Sequence, residues 1–166
     1  MRDGVAMNKK RMQFFVAFVL SLVIFIIFIA ASVFLTLGTA PTPMSGFSIN
    51  GKEFNITTIA INETQLTRGL MNTTITNKTI MLFVFSGLGD YPFWMYDTYS
   101  NLDIIWINYG ERNGTIVYIA KNAISCFVRS ECVIYDPSTN ANYVIEAKAG
   151  FVERNNINVG DRIILR

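Results

Sequence analysis

Ile80-Met81-Leu82-Phe83-Val84-Phe85 is a run of six apolar residues. A short, unbroken run of this kind, rich in β-branched and aromatic side chains, reads as a strand buried on both faces. Gly87, Gly89 and Pro92 break the chain after it, before Phe93-Trp94-Met95. Residues 102–107 (LDIIWI) form the next strand, and Asn113-Gly114 turns the chain into another at residues 115–119. Upstream, Phe47-Ser48-Ile49, Asn50-Gly51 and Lys52-Glu53-Phe54-Asn55-Ile56 read as a hairpin. Asn-Gly suits the two φ > 0 positions of a type I′ turn. Residues 57–61 extend its second strand. Residues 62–72 hold a short helix, with Asn62 or Thr64 as its cap and Gly69 near its end. Downstream, residues 143–147 alternate, residues 150–156 suit a helical turn, and Val159-Gly160-Asp161 leads into a last strand at 162–165. Seven or eight short strands with one or two short helices predict a mainly β, β-rich α+β domain. Its sheet is expected to be mostly antiparallel and to close into a small barrel or sandwich.

The N-terminal part is of another kind. Residues 14–37 carry no charge, and their only polar members are Ser21, Ser32 and Thr36. A helix of that length spans roughly 36 Å, enough for a hydrocarbon core of about 30 Å. Residues 1–13 carry Arg2, Lys9, Lys10 and Arg11 against Asp3, and the far flank has no charge before Lys52. The positive-inside bias then puts residues 1–13 in the cytoplasm and the later residues outside, with the bilayer as partner of the span. A cleavable secretory signal is the rival reading. Gly38-Thr39-Ala40 offers small residues for cleavage, although the run exceeds the usual length of about 7–15 residues. Both readings export the rest of the chain. Residues 38–46, with Pro41 and Pro43, read as a stalk, and residues 47–166 as the exported β-rich domain.

Composition excludes several classes of function. The 166 residues contain no histidine, so a Ser-His-Asp triad, a Cys-His dyad and a histidine base are absent. Two cysteines without histidine are too few for structural zinc, and no metal or cofactor is expected. Residues 39–166 carry ten basic against eleven acidic residues, which argues against nucleic acid as a partner. Cys126 and Cys132, six apart and exported, are expected to form a disulfide. Asn55, Asn62, Asn72, Asn77 and Asn113 each begin an Asn-x-Thr sequon on the exported side and are candidate glycosylation sites. Arg68, Asp97, Asp103, Glu146, Glu153 and Arg154 sit in apolar surroundings. A buried carboxylate must be paired or solvated. Two arrangements meet that need: arginine–carboxylate pairs pinning loops to the sheet, or a polar pocket beside Trp94. For the second, Arg68, Trp94, Tyr96, Asp97, Asp103 and Glu146 are the candidate ligand-binding residues. No catalytic residue is assigned.

Several of these segments occur together in one known order. Thr67-Arg68-Gly69-Leu70-Met71, MLFVF (81–85), FWMYDT (93–98), LDIIWI (102–107), YVIEAKAG (143–150) and ER..I..GD (153–161) resemble the domain of unknown function 192 family over residues 48–166. The resemblance implies a compact, mainly β domain, often exported or anchored, and no established activity. Family members usually carry a basic residue and Asn after Phe-Trp-Met, where this chain has Tyr96 and Asp97. They usually carry Pro before Leu-Asp, where it has Asn101, and a Glu just before Arg-Gly-Leu-Met, where it has Glu63-Thr64-Gln65-Leu66-Thr67.

Three functions fit these features. The first is an anchored envelope module that binds a surface glycan, a small ligand or an envelope protein, and is not an enzyme. The second is an exported hydrolase acting on glycans through Asp97, Asp103 and Glu146. The third is a structural or accessory subunit of a membrane complex. Convergence of the three carboxylates in an open cleft favours the second.

Overall fold

The computed structural model describes residues 9–36 and 44–166, which fall into two compact units. Residues 1–8 and the proline-containing residues 37–43, most of the expected stalk, lie outside the described residues. In the first unit, α1 (Lys9–Thr36) is a 28-residue helix, long and apolar enough to cross a membrane, with side chains 12–29 exposed.

The second unit is mainly β. Its strands are β1 (Gly46–Ile49), β2 (Lys52–Asn55), β3 (Thr58–Ala60), β4 (Ile80–Gly89), β5 (Phe93–Trp94), β6 (Leu102–Tyr109), β7 (Gly114–Ala123), β8 (Ile134–Tyr135), β9 (Ala141–Lys148) and β10 (Arg162–Leu165). Two short helices, α2 (Glu63–Arg68) and α3 (Phe151–Asn155), join them. Eight strands form one sheet in the order β2-β1-β10-β7-β6-β9-β4-β3, and β5 pairs with β8 in a small second ribbon.

Local chemistry explains the elements that the sequence predicts. Asn50 and Gly51 take φ of 51° and 76° and turn β1 into β2. Asn62 caps α2 in a capping box: its side chain accepts from the Gln65 N–H, and the Gln65 side chain accepts from the Asn62 N–H. Two expectations are corrected. Residues 58–60 do not extend β2; they form β3, which pairs parallel with β4, register Ile59 to Leu82. The sheet is open rather than a barrel, with β2 and β3 as its edges. β2 cannot recruit another strand easily, because Lys52, Glu53 and Asn55 leave it polar and exposed.

Alternation along the central strands splits the core in two. Ile80, Leu82, Ile105, Ile107, Ile145 and Ala147 pack with Phe47, Ile163 and the α3 residues Phe151 and Val152. Met81, Phe83, Leu102, Ile104, Trp106 and Val144 form the second cluster, with Leu70, Ile75 and Met95. The period of two along each strand separates these sets. The second cluster lies beneath the loops around α2 and β5, where the candidate site is found.

Candidate functional site

Glu146 lies in β9 between two strands, opposite Met81 of β4 and Ile104 of β6. It shares the face of Val144, so the pleat aims it into the second core cluster. Its side chain is 4% exposed, and no arginine meets it among the described residues. Burial pushes its carboxyl up from 4.5 to about 8, and the Leu70 N–H only partly opposes this. That N–H does not engage Oε2, which is buried with no hydrogen-bond partner.

The segment 67–71 builds the cover. Gly69 ends α2 at φ 50°, a left-handed backbone that turns the chain over the sheet. A Cβ at that position would stand 3.2 Å from Phe83 and 3.4 Å from Glu146 Oε2. Glycine there lets the backbone approach the carboxyl closely, which brings the Leu70 N–H to it.

A cavity of about 220 Å³ opens above Glu146. Leu66, Leu70, Phe83, Phe85, Tyr91, Phe93 and Trp94 give it an apolar wall, and Arg68 and Thr98 add polar groups. Phe83 and Phe93 meet edge to face at 4.9 Å, and Phe85 stacks on Tyr91 at 3.7 Å. Arg68 and Trp94 also line an adjoining groove with Glu63 and Arg129. The Arg129 guanidinium lies 5.0 Å from the ring centroids of both Trp94 and Tyr96. The Cys126–Cys132 disulfide closes the loop that carries Arg129; the chain-entropy relation gives a loop this short about 2 kcal/mol of stabilisation.

The structure therefore brings Arg68, Trp94 and Glu146 together around one cavity. Tyr96, Asp97 and Asp103 are not among the residues lining it. Asp97 has φ 51° and ties two loops by its backbone: its N–H donates to the Cys126 carbonyl, and its carbonyl accepts from the Asn72 N–H. Asp103 points to the opposite face of the sheet. Its Oδ1 accepts from the Asn122 N–H at 2.9 Å and its Oδ2 from the Val152 N–H at 2.8 Å. Neither Asp103 nor Glu146 uses an arginine, so the expected pairing with Arg68 does not occur among the described residues. Glu153 and Arg154 are exposed on α3, with Arg154 Nη1 donating to the Ala149 carbonyl. Phe83, Phe93 and Tyr91, which the sequence reading did not single out, supply most of the wall.

A family model for DUF192, "Uncharacterized ACR", matches residues 47–165. The chain belongs to the DUF192 family. The DUF192 domain also resembles solved structures. A protein of Sinorhizobium meliloti 1021, described as a candidate transcription regulator, is 28% identical with a TM-score of 0.64; the match covers 77% of this chain and 98% of that one. A protein of unknown function from Novosphingobium aromaticivorans DSM 12444 is 23% identical with a TM-score of 0.60, over 76% and 93% of the two chains, and shows the fold alone. No curated protein matches the chain. Within the DUF192 domain, the Arg-Gly-Leu-Met segment has a physical role in this chain: Gly69 and Leu70 roof the Glu146 carboxyl.

Proposed function

We propose that this chain is a membrane-tethered, outward-facing domain that binds a small ligand in the aromatic cavity over Glu146. One observation carries the reading. Glu146 is a buried carboxyl with no charged partner among the described residues, and it lines an aromatic-walled cavity of about 220 Å³. Its Oε2 is buried without a hydrogen-bond partner, which costs roughly 1–3 kcal/mol, and a protein that keeps such a group beside a cavity commonly uses it. The confined apolar wall favours a small ligand over an extended glycan or a flat protein surface as the partner.

The hydrolase reading gains less support. Glu146 is the only carboxylate among the residues lining the cavity, and both oxygens of Asp103 are engaged by backbone N–H groups. A two-carboxylate mechanism needs a second acid within reach. A regulator of transcription, the description carried by the Sinorhizobium relative, is disfavoured by the slight acidic excess of residues 39–166.

Mass spectrometry of the protein taken from its own membranes tests the binding reading. Native spectra are expected to show a small non-covalent adduct that is lost on unfolding and absent from Leu66→Trp, whose larger side chain takes up space in the cavity that Leu66 lines. An identical adduct on Leu66→Trp, or none on the parent, counts against the cavity. The same spectra report glycans on the sequons; Asn55, Asn62, Asn72 and Asn77 are exposed and Asn113 half-buried. The tether rests on α1 and the basic residues that precede its apolar stretch. Protease added to intact cells is expected to remove residues 47–166 and spare an N-terminal tag. Protection of those residues until lysis overturns the outward orientation.

A further inference from the structure

We infer that the site takes a small organic anion, with a ring-sized apolar body in the cavity and a carboxylate in the adjoining groove, held between Arg68 and Arg129. This deepens the ligand-binding reading above and rests on it.

Size and wall define the body of the ligand. An apolar cavity of about 150 Å³ suffices for benzene, so the roughly 220 Å³ here holds a ring with a short chain. Phe83, Phe85 and Phe93 line it, with Phe93 edge to face against Phe83 and at 84° to Phe85. These surfaces reward apolar contact.

The way out of the cavity defines the head. Thr67, Arg68, Met71 and Trp94 line both the cavity and the groove, so a ligand seated in the first extends its free end into the second. Arg68 and Arg129 are exposed there, and neither forms an ion pair among the described residues. Arg129 is held in place, because its guanidinium lies 5.0 Å from the ring centroids of both Trp94 and Tyr96. The Cys126–Cys132 disulfide closes its loop. One end of that loop is pinned to the chain beside Trp94: the Cys126 N–H donates to the Met95 carbonyl, and the Cys126 carbonyl accepts from the Asp97 N–H. A guanidinium stacked on rings still presents N–H donors at its edge, in the fork that matches a planar carboxylate. A group already in position loses less freedom when it binds.

The other charges decide the sign. Glu63 is the only acid among the described residues lining the groove, and it faces two arginines there. Glu146 lines the cavity, but its Oε2 is buried beneath Gly69, out of reach of a ligand. It adds little negative charge at pH 7, because burial raises its carboxyl to about 8. A cation would compete with Arg129 for the faces of Trp94 and Tyr96 and would meet both guanidinium groups. An uncharged ligand would leave both arginines unused.

Three probes with one body and different heads separate these chemistries: hydrocinnamate, its neutral amide and phenylpropylammonium. They are read by saturation-transfer NMR at pH 7 on the full-length chain in nanodiscs of zwitterionic lipid, with Leu66→Trp correcting for partition into lipid. Hydrocinnamate is expected to bind about tenfold tighter than the amide, the size of two partly solvated charge-assisted contacts, with the ammonium weakest. Raising salt from about 0.05 M to about 0.5 M is expected to cut that advantage about threefold by screening. Arg68→Gln and Arg129→Gln are each expected to weaken hydrocinnamate about threefold and to leave the amide within about twofold of the parent, and the double variant to bring the two probes level. Equal binding of hydrocinnamate and the amide, preferred binding of the ammonium, or a parallel loss of hydrocinnamate and amide in the arginine variants overturns this inference while leaving a ligand site in place. No binding of any probe beyond that of Leu66→Trp overturns both this inference and the ligand-binding reading.

Discussion

Glu146→Gln is expected to melt close to the parent chain near pH 5 and several degrees above it at pH 8. The Glu146 carboxyl is raised from 4.5 to about 8 by burial in the folded domain, so between those values the folded state holds a proton that the unfolded chain has released. Stability must then fall as pH rises through that window, and level off above it. Each unit is worth about 1.4 kcal/mol, which puts the full loss on the order of 3–5 kcal/mol. Gln has nearly the same shape, still accepts from Leu70 with its carbonyl, and does not titrate. The pH dependence of its melting therefore lacks this component. Trp94 and Trp106, the only tryptophans, both report the β domain by fluorescence. Parallel melting curves for parent and variant from pH 5 to pH 8 would show that Glu146 ionises at an ordinary pH and that its surroundings are wetter than its 4% exposure indicates.

Asp103→Ala is expected to lose roughly 2–4 kcal/mol of stability without altering the cavity. Asp103 is 2% exposed, and its two oxygens satisfy backbone N–H groups on β7 and at the start of α3. Alanine leaves both donors buried and unpaired, and the helical turn at Phe151–Asn155 loses its tie to β6. Asp103→Asn keeps one acceptor and turns an NH₂ group toward the other donor, so about half the loss is expected. Asp97→Ala is a useful contrast. Its two loop hydrogen bonds are made by the backbone and survive, and the loss should be about 1 kcal/mol, from placing alanine at φ 51°. Urea unfolding of the three variants decides the matter. Equal losses for Asp97→Ala and Asp103→Ala would mean that Asp97 is held by contacts of its side chain.

Much of the fold is legible because it depends on neighbours in sequence. The Asn50-Gly51 hairpin, the capped helix after Asn62, the apolar strands at 80–85 and 102–107 and the membrane-length helix all follow from local conformational preference and hydrophobic pattern. The order of the quoted segments shows the family. What local pattern cannot supply is which strand lies beside which. β3 is a strand in its own right and parallel to β4, and β1 finds β10 across the domain, because burial of each face rewards distant partners that no short window contains.

The same reason divides the carboxylates. Asp103 and Glu146 look alike in sequence: each sits between apolar residues of a central strand and is expected to need a partner. What lies above each strand decides between them. Val152, 49 residues along the chain from Asp103, brings a backbone N–H to it on one face. On the other face, the chain at Gly69 and Leu70 crosses Glu146, Oε2 stays buried without a partner, and the residue lines a cavity walled by aromatic side chains. The sequence by itself determined that these acids lie in strands, that a helix of membrane-spanning length precedes them and that histidine chemistry is absent. The tertiary structure alone decided that one acid ties down the backbone and the other faces a cavity, because burial and hydrogen-bond satisfaction are properties of the packed neighbours and not of the residues on either side.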